Sequence, residues 1–412
     1  MAIFISKLTP VERRTFWACF GGWGLDAFDF MVFTLAIPAL MMDFHVGRAD
    51  VGALGSAALF ASAFGGWLGG AISDKIGRVR ALQVMILWFS LATGLSALAQ
   101  NFYQLLVLKA LQGLGFGGEW AAGAVLMSET IRPAWRGRAL AGVQSAWAVG
   151  WGGSVLAYGA CFYLLPEALS WRVLFGIGLL PALLILFVQR SVPEPVHQAG
   201  KTVQPMPFLG IFRPEVLRMT VLSCLLAVGA HGGYYALTTF LPTYLKTSRH
   251  LSVTHTSLYL AVIIVAFFCG CLASAALIDR IGRRRNISLF AVCSALSVAL
   301  YLLLPLNDTE MLIIGFPVGF FAAGIPSSMG ALFTELFPAG TRGTAVGFCY
   351  NFGRVVASFF PLLVGIVSRS VPLGTAIGVS AAGCYALVVL AVAALPETRQ
   401  RALADTIPAE AD

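Results

Sequence analysis

Twelve apolar runs, each long enough to cross a bilayer, follow one another with only short polar breaks between them. They fall at about 15–42, 50–72, 80–100, 102–128, 138–164, 171–190, 215–245, 254–278, 286–305, 309–334, 341–368 and 371–395. Backbone N–H and C=O groups in hydrocarbon have no water to bond, so runs of this length are expected to fold as α-helices. The expectation is an all-α membrane protein with twelve transmembrane helices. Charged residues make up 11% of the 412, against about 25% in soluble chains, which excludes one soluble core. The first run is too long for a signal peptide, holds two Asp and lacks a small-residue cleavage site, so it reads as a spanning helix.

The basic residues fix an expected orientation. With the N-terminus in the cytoplasm, 20 of the 27 Lys and Arg fall in cytoplasmic segments and 5 outside, while Lys109 and Arg354 lie within apolar runs. Both termini are therefore expected inside. The net charge of +8 follows this distribution and is not a nucleic-acid footprint. The eight Cys have no metal or redox spacing and read as small packing residues.

The two halves repeat. Asp74-Lys-Ile-Gly-Arg78 recurs as Asp279-Arg-Ile-Gly-Arg283, and Glu129, Pro133 and Arg136-Gly137 recur as Glu335, Pro338 and Arg342-Gly343, all at offsets of 205 or 206. The expected organisation is a six-helix bundle over 1–190, a cytoplasmic linker over 191–214 and a second bundle with a short cytoplasmic tail over 215–412. Gly-x-x-x-Gly spacings at Gly65/Gly69, Gly66/Gly70 and Gly113/Gly117 read as close helix packing with little functional content.

Charged groups inside the apolar runs are the candidates for function, because each is costly there. Asp26 and Asp29 lie near the middle of the first run at i,i+3, which places them on one helix face. His231 and Arg354 fall at similar depth in the seventh and eleventh. Arg354 suits a carboxylate ligand, with Tyr350 and Asn351 on the same face; a permanent Arg354–Asp pair holding the halves together is the plainer reading. Asp26, Asp29 and Glu119 are proton-site candidates, with tight packing of Glu119 among Gly113, Gly115, Gly117 and Gly118 as its alternative. His231 could relay the proton, bind substrate or simply bond between helices. Trp120 and Tyr234 belong to a set of aromatic residues that could line an organic cavity, and Lys109 is a further candidate substrate contact without the bidentate fork of Arg. Gly200-Lys201-Thr202 lacks the glycine of a phosphate-binding loop, and no HExxH or GxSxG is present, so no enzyme, metal site or bound cofactor is expected. Asn286-Ile-Ser288 fits a glycosylation acceptor but would face the cytoplasm.

The segment Gly70-Ala-Ile-Ser-Asp74-Lys-Ile-Gly-Arg78-Val-Arg80 and its second copy from Ala275 to Arg285 resemble the signature loops of the major facilitator superfamily. That resemblance implies two pseudo-symmetric six-helix bundles and a gate latch involving Asp74, Arg78, Asp279 and Arg283. Leu25-Asp-Ala-Phe-Asp29-Phe and Gly117-Gly-Glu-Trp120 are similar to helices 1 and 4 of the sialate/lactate and aromatic-acid:proton symporters. This implies proton-coupled import of a small organic anion, driven by the proton gradient, by a monomer in the bacterial inner membrane. A proton-driven exporter is the nearest alternative and a non-transporting receptor a more distant one.

Overall fold

A computed structural model of the chain describes residues 2–180, 182–183, 188, 190–195, 209–247, 249, 253–399 and 403. Most of the expected linker, at 196–208, lies outside the described residues, as does nearly all of the expected tail beyond 399. The first half contains α1 (Ala2–Ser6), α2 (Pro10–Asp43), α3 (Arg48–Ile76), α4 (Arg78–Ser96), α5 (Phe102–Thr130), α6 (Arg136–Gln144), α7 (Ala146–Leu164) and α8 (Glu167–Ile177). The second contains α9 (Pro214–Thr247), α10 (Val253–Ile281), α11 (Arg283–Leu303), α12 (Asp308–Leu336), α13 (Arg342–Ala357), α14 (Phe360–Val367) and α15 (Leu373–Ala394).

Eight of these helices are long and apolar enough to cross a membrane by that measure alone. The four other expected crossings differ for identifiable reasons. Helix α5 is diluted by Lys109, Gln112 and Glu119; α7 is long enough but diluted by its Gly, Trp and Tyr residues; the eleventh run is divided at Ser358–Phe359 into two shorter helices; the sixth is described only in part.

Local signals set the helix ends. Thr9 caps α2, its hydroxyl accepting from Glu12 N at 3.2 Å while the Glu12 carboxylate accepts from Thr9 N at 2.9 Å, and Pro10 follows directly. Between α3 and α4 the chain turns at Gly77 with φ 102° and ψ 161°, and between α10 and α11 at Gly282 with φ 94° and ψ 166°. Only glycine adopts that region readily. A side chain at either position would also strike a carboxylate, Glu194 or Glu397. Each carboxylate accepts backbone N–H groups of the first turn that follows: Val79 N at 3.1 Å for Glu194, Arg283 N at 2.9 Å for Glu397. The Gly of the repeated Asp-x-Ile-Gly-Arg is thus required by the turn, in both copies.

Equivalent helices pack equivalently: α3 on α5 as α10 on α12, α4 on α5 as α11 on α12, α2 on α7 as α9 on α13. Across the halves α3 lies along α13, and α6 along α10 and α12. The first of these contacts shows which neighbour each glycine pair packs against. Gly65, Gly69, Gly113 and Gly117 do serve packing of α3 on α5 inside the first half. Gly66 and Gly70 face the other half instead, against Gly347 and Gly343.

Candidate functional site

At the end bearing most of the cations, here called the basic end, the halves are joined by two equivalent sets of bonds. The Asp74 carboxylate accepts from Gly343 N at 3.0 Å, Thr344 N at 2.9 Å and Thr344 Oγ1 at 2.7 Å, so it caps α13 from the opposite half. Asp279 caps α6 in the same manner, accepting from Gly137 N at 3.1 Å and Arg138 N at 2.8 Å. The free N–H groups of a first helical turn attract a carboxylate whichever chain segment supplies it. Behind each Asp, Arg78 pairs with Asp74 and with Glu129 at 3.1 Å, and Arg283 pairs with Asp279 at 3.0 Å and Glu335 at 2.9 Å. The same glutamates bind across the interface, Glu129 to Arg342 at 2.6 Å and Glu335 to Arg136 at 3.1 Å. Glu129, Arg136, Glu335 and Arg342 were visible in the sequence as part of the repeat, but their pairing was not, because nothing in a single chain says which repeated charges meet. Glu194 and Glu397 were missed; the Pro-Glu that follows each sixth helix is the signal that could have found them.

Toward mid-membrane the halves contribute to one cluster. Helix α2 presents Trp23, Asp26 and Phe30 along one face, and α5 presents Phe116, Glu119 and Trp120 at i, i+3 and i+4. Asp26 and Glu119 are 1% and 2% exposed, and their carboxyl groups act on each other. Asp26 Oδ2, Glu119 Oε2 and Trp23 Nε1 are buried with no partner among the described residues.

From the second half, α13 supplies Tyr350, Asn351 and Arg354, and α9 supplies His231. The Arg354 guanidinium is buried and in no ion pair among the described residues. It lies 4.5 Å from the Phe116 ring centre and 5.1 Å from that of Tyr350, with Nη1 donating to Asn351 Oδ1 at 3.3 Å. Asn351 Nδ2 donates to Gly117 O of the first half at 3.2 Å. The Tyr350 ring stacks on Trp120 at 3.6 Å between centres, its hydroxyl lies beside Gln144, and the His231 ring meets its edge at 4.7 Å. His231 Nδ1 is 2.9 Å from the Ala227 carbonyl. A carbonyl only accepts, so Nδ1 carries a proton and Nε2 is an acceptor while the ring is neutral. Tyr234 contacts Trp147 across the halves. On the basic-end side a narrow cavity of about 20 Å³, room for a water molecule, runs past Cys19, Trp23, Glu119, Trp120, Gln144 and Ser327.

Two expected site residues lie elsewhere. Asp29 faces the interior of the first half, where Thr93 Oγ1 donates to it at 2.7 Å and Gln112 Nε2 also donates. Lys109 Nζ donates to Gln112 Oε1 at 2.7 Å and sits 4.7 Å from the rings of Phe33 and Phe175. The reason is rotation. Positions at i,i+3 are offset by about 60° around a helix, and Asp26 already stands at the edge of the Trp23/Phe30 face, so Asp29 turns away from it. Sequence reasoning also passed over Gln144 and Ser327, polar side chains inside apolar runs.

The sequence profile of the Major Facilitator Superfamily matches residues 19–316. The chain belongs to the major facilitator superfamily. It is 40% identical over 408 residues to a probable 4-methylmuconolactone transporter of Cupriavidus pinatubonensis, covering 98% of this chain and 95% of that one. It is 30% identical over 361 residues to the cis,cis-muconate transport protein of Acinetobacter baylyi, covering 85% and 86%. Among solved structures, the proton:xylose symporter XylE superposes with a TM-score of 0.77 over 95% of this chain and 98% of that one, at 19% identity, which bears on the fold alone. The all-helical major facilitator fold and a multi-pass membrane location follow, and the family is one of transporters, not enzymes.

Proposed function

We propose that the protein imports a small organic carboxylate together with a proton, by alternating access between its two halves. The observation that carries this reading is the buried Arg354, held by aromatic rings with no ion pair among the described residues, at the same cluster as the buried carboxyl pair Asp26 and Glu119, which would share a proton because two adjoining buried carboxylates cannot readily both ionise. A guanidinium left unpaired at such depth is costly, and a carboxylate ligand would complete it with charge-assisted hydrogen bonds. Tyr350, Asn351, His231, Tyr234 and Trp120 would surround the ligand, with Trp23 Nε1–H as a further donor. The transport of a muconolactone and of muconate ascribed to the two relatives supports an unsaturated organic acid as the cargo class.

The coupling has a definite sign. The charge of Arg354 acts on Asp26. An ionised Asp26 competes with the cargo for that charge, and a protonated one leaves it to the cargo. Proton and anion therefore bind better together than apart, which by linkage is cooperative loading and favours symport. An exporter driven by proton exchange would need the opposite sign.

Asp74, Arg78, Asp279 and Arg283, with their partner glutamates, act as the latch on the cytoplasmic side; the excess of cations at that end supports the orientation, and a bacterial inner membrane suits the relatives' sources. The arrangement described is the one closed to the cytoplasm. The test is thermal stability of the purified protein with cis,cis-muconate, a muconolactone and neutral analogues. Carboxylates are expected to stabilise the wild type and to have no effect on Arg354→Ala. Equal stabilisation of both proteins would reject the site.

A further inference from the structure

The basic end carries a second cavity, of about 200 Å³, between the halves and away from the cluster around Arg354. Its walls come from α1 and the turn before α6 on one side and from α10 on the other. Phe4 is buried under it and stands 5.4 Å from Trp135, centre to centre. Three cations face the space: Lys7 at 6.0 Å and Arg138 at 5.0 Å from the Trp135 ring, and Arg280 from the opposite half. No carboxylate lines the cavity, and none of the three cationic groups is in an ion pair among the described residues. The nearest latch carboxylate, Asp279, is occupied by Gly137 N, Arg138 N and Arg283.

Arg138 Nε donates across the halves to the Ala275 carbonyl at 3.3 Å, but the latch does not need the rest of this arrangement, as the internal repeat shows. Thr344 occupies the place of Arg138 in the equivalent latch, donating to Asp74 through N and Oγ1, and Thr341 occupies the place of Trp135. The latch therefore closes without a guanidinium or an indole beside it. Lys75 corresponds to Arg280, so a cation at that helix end is common to both copies, but the aromatic floor and the second and third cations belong to one copy. Below the cations the wall becomes apolar: Ala276 and Leu272, one turn apart on α10, continue from Arg280 into the span.

We propose that this pocket binds a phosphate anion, supplied by the headgroup of an anionic phospholipid in the adjoining leaflet. The cations and the Trp135 face suit the phosphate, and the Ala276–Leu272 track gives an acyl chain a path that a free phosphate would not need. Because the walls come from both halves, the pocket is complete only while this end is closed. A lipid seated there favours the closed arrangement over the open one, by its difference in affinity for the two.

The test uses the full-length protein in neutral detergent, with lipid retention read by native mass spectrometry. Phosphatidylglycerol is expected to be retained over phosphatidylcholine of the same acyl chains. The double change Lys7→Gln/Arg280→Gln, at two exposed positions, should weaken that retention roughly ten- to thirty-fold, given about 1 kcal/mol per basic residue at an anionic surface. Lys75→Gln/Arg80→Gln removes the same charge at the counterpart of Arg280 and at an exposed cation five residues on, and should leave retention unchanged. Equal loss in both double variants, or no preference for phosphatidylglycerol, would overturn the proposal. Thermal stabilisation by inorganic phosphate that is lost in Lys7→Gln/Arg280→Gln, without phosphatidylglycerol retention, would give the pocket to a soluble anion and overturn the lipid assignment.

Discussion

Asp26 and Asp29 are three residues apart and their environments set them to different work. Asp29 is enclosed by Thr93, Gln112 and, through Gln112, Lys109, a chain that joins α2, α4 and α5 within one half. Neutralising Asp29 leaves Lys109 buried without its counter-charge, a change that typically costs about 3–5 kcal/mol. Asp29→Asn is therefore expected to lower the unfolding temperature markedly and Asp29→Asn/Lys109→Gln to recover most of the loss, both without altering the pH dependence of uptake; thermal unfolding beside proteoliposome uptake checks both. Arg354→Lys keeps the charge but not the planar fork that lies against Phe116 and Tyr350. Losing one or two charge-assisted bonds of about 1.5–3 kcal/mol each should weaken carboxylate binding at least tenfold, measurable by calorimetry. At this scale the sequence revealed depth and chemistry but not rotation. Counting residues from the helix ends put Asp26, His231 and Arg354 at one level, whereas the separation of Asp29 from that cluster depends on about a sixth of a helical turn, and i,i+3 spacing is as compatible with one shared face as with two adjoining ones.

Helix α3 uses two glycine faces for opposite purposes. Gly65 and Gly69 lie against Leu114 and Gly118 of α5 in their own half, while Gly66 and Gly70 lie against Gly347 and Gly343 of α13 in the other. A Cβ at Gly347 would overlap the Gly66 carbonyl, a backbone atom that no side-chain movement can clear. Gly347→Ala should therefore push the halves apart at the basic end. Cys19, buried on the cavity between the cluster and that end, is the reporter: its alkylation, mapped by mass spectrometry, is expected to quicken several-fold in Gly347→Ala, whereas an unchanged rate would mean that α3 and α13 do not control access. The Gly-x-x-x-Gly spacing was legible in the sequence, but its meaning was not. The motif states that a backbone comes close, and two adjoining glycine pairs on one helix, Gly65/Gly69 and Gly66/Gly70, leave open which neighbour each pair meets.

Taken whole, the molecule is two copies of one unit joined at one end by reciprocal caps, Asp74 on α13 and Asp279 on α6, over crossed pairs of Glu129 with Arg342 and Glu335 with Arg136. The repeat and the signature loops made the fold readable from the sequence, because apolar length and internal offsets need no knowledge of packing. The divided helices at Ser145 and Ser358 were not readable, since the apolar runs continue straight through them. If the account of coupling is correct, the proton site can be removed without removing transport. The decisive measurement is uptake of cis,cis-muconate into proteoliposomes by Asp26→Asn/Glu119→Gln, with and without an imposed pH gradient, beside exchange of internal for external muconate. Exchange is expected to continue while accumulation driven by the gradient disappears; accumulation that still follows the gradient would mean that Asp26 and Glu119 do not carry the coupling proton.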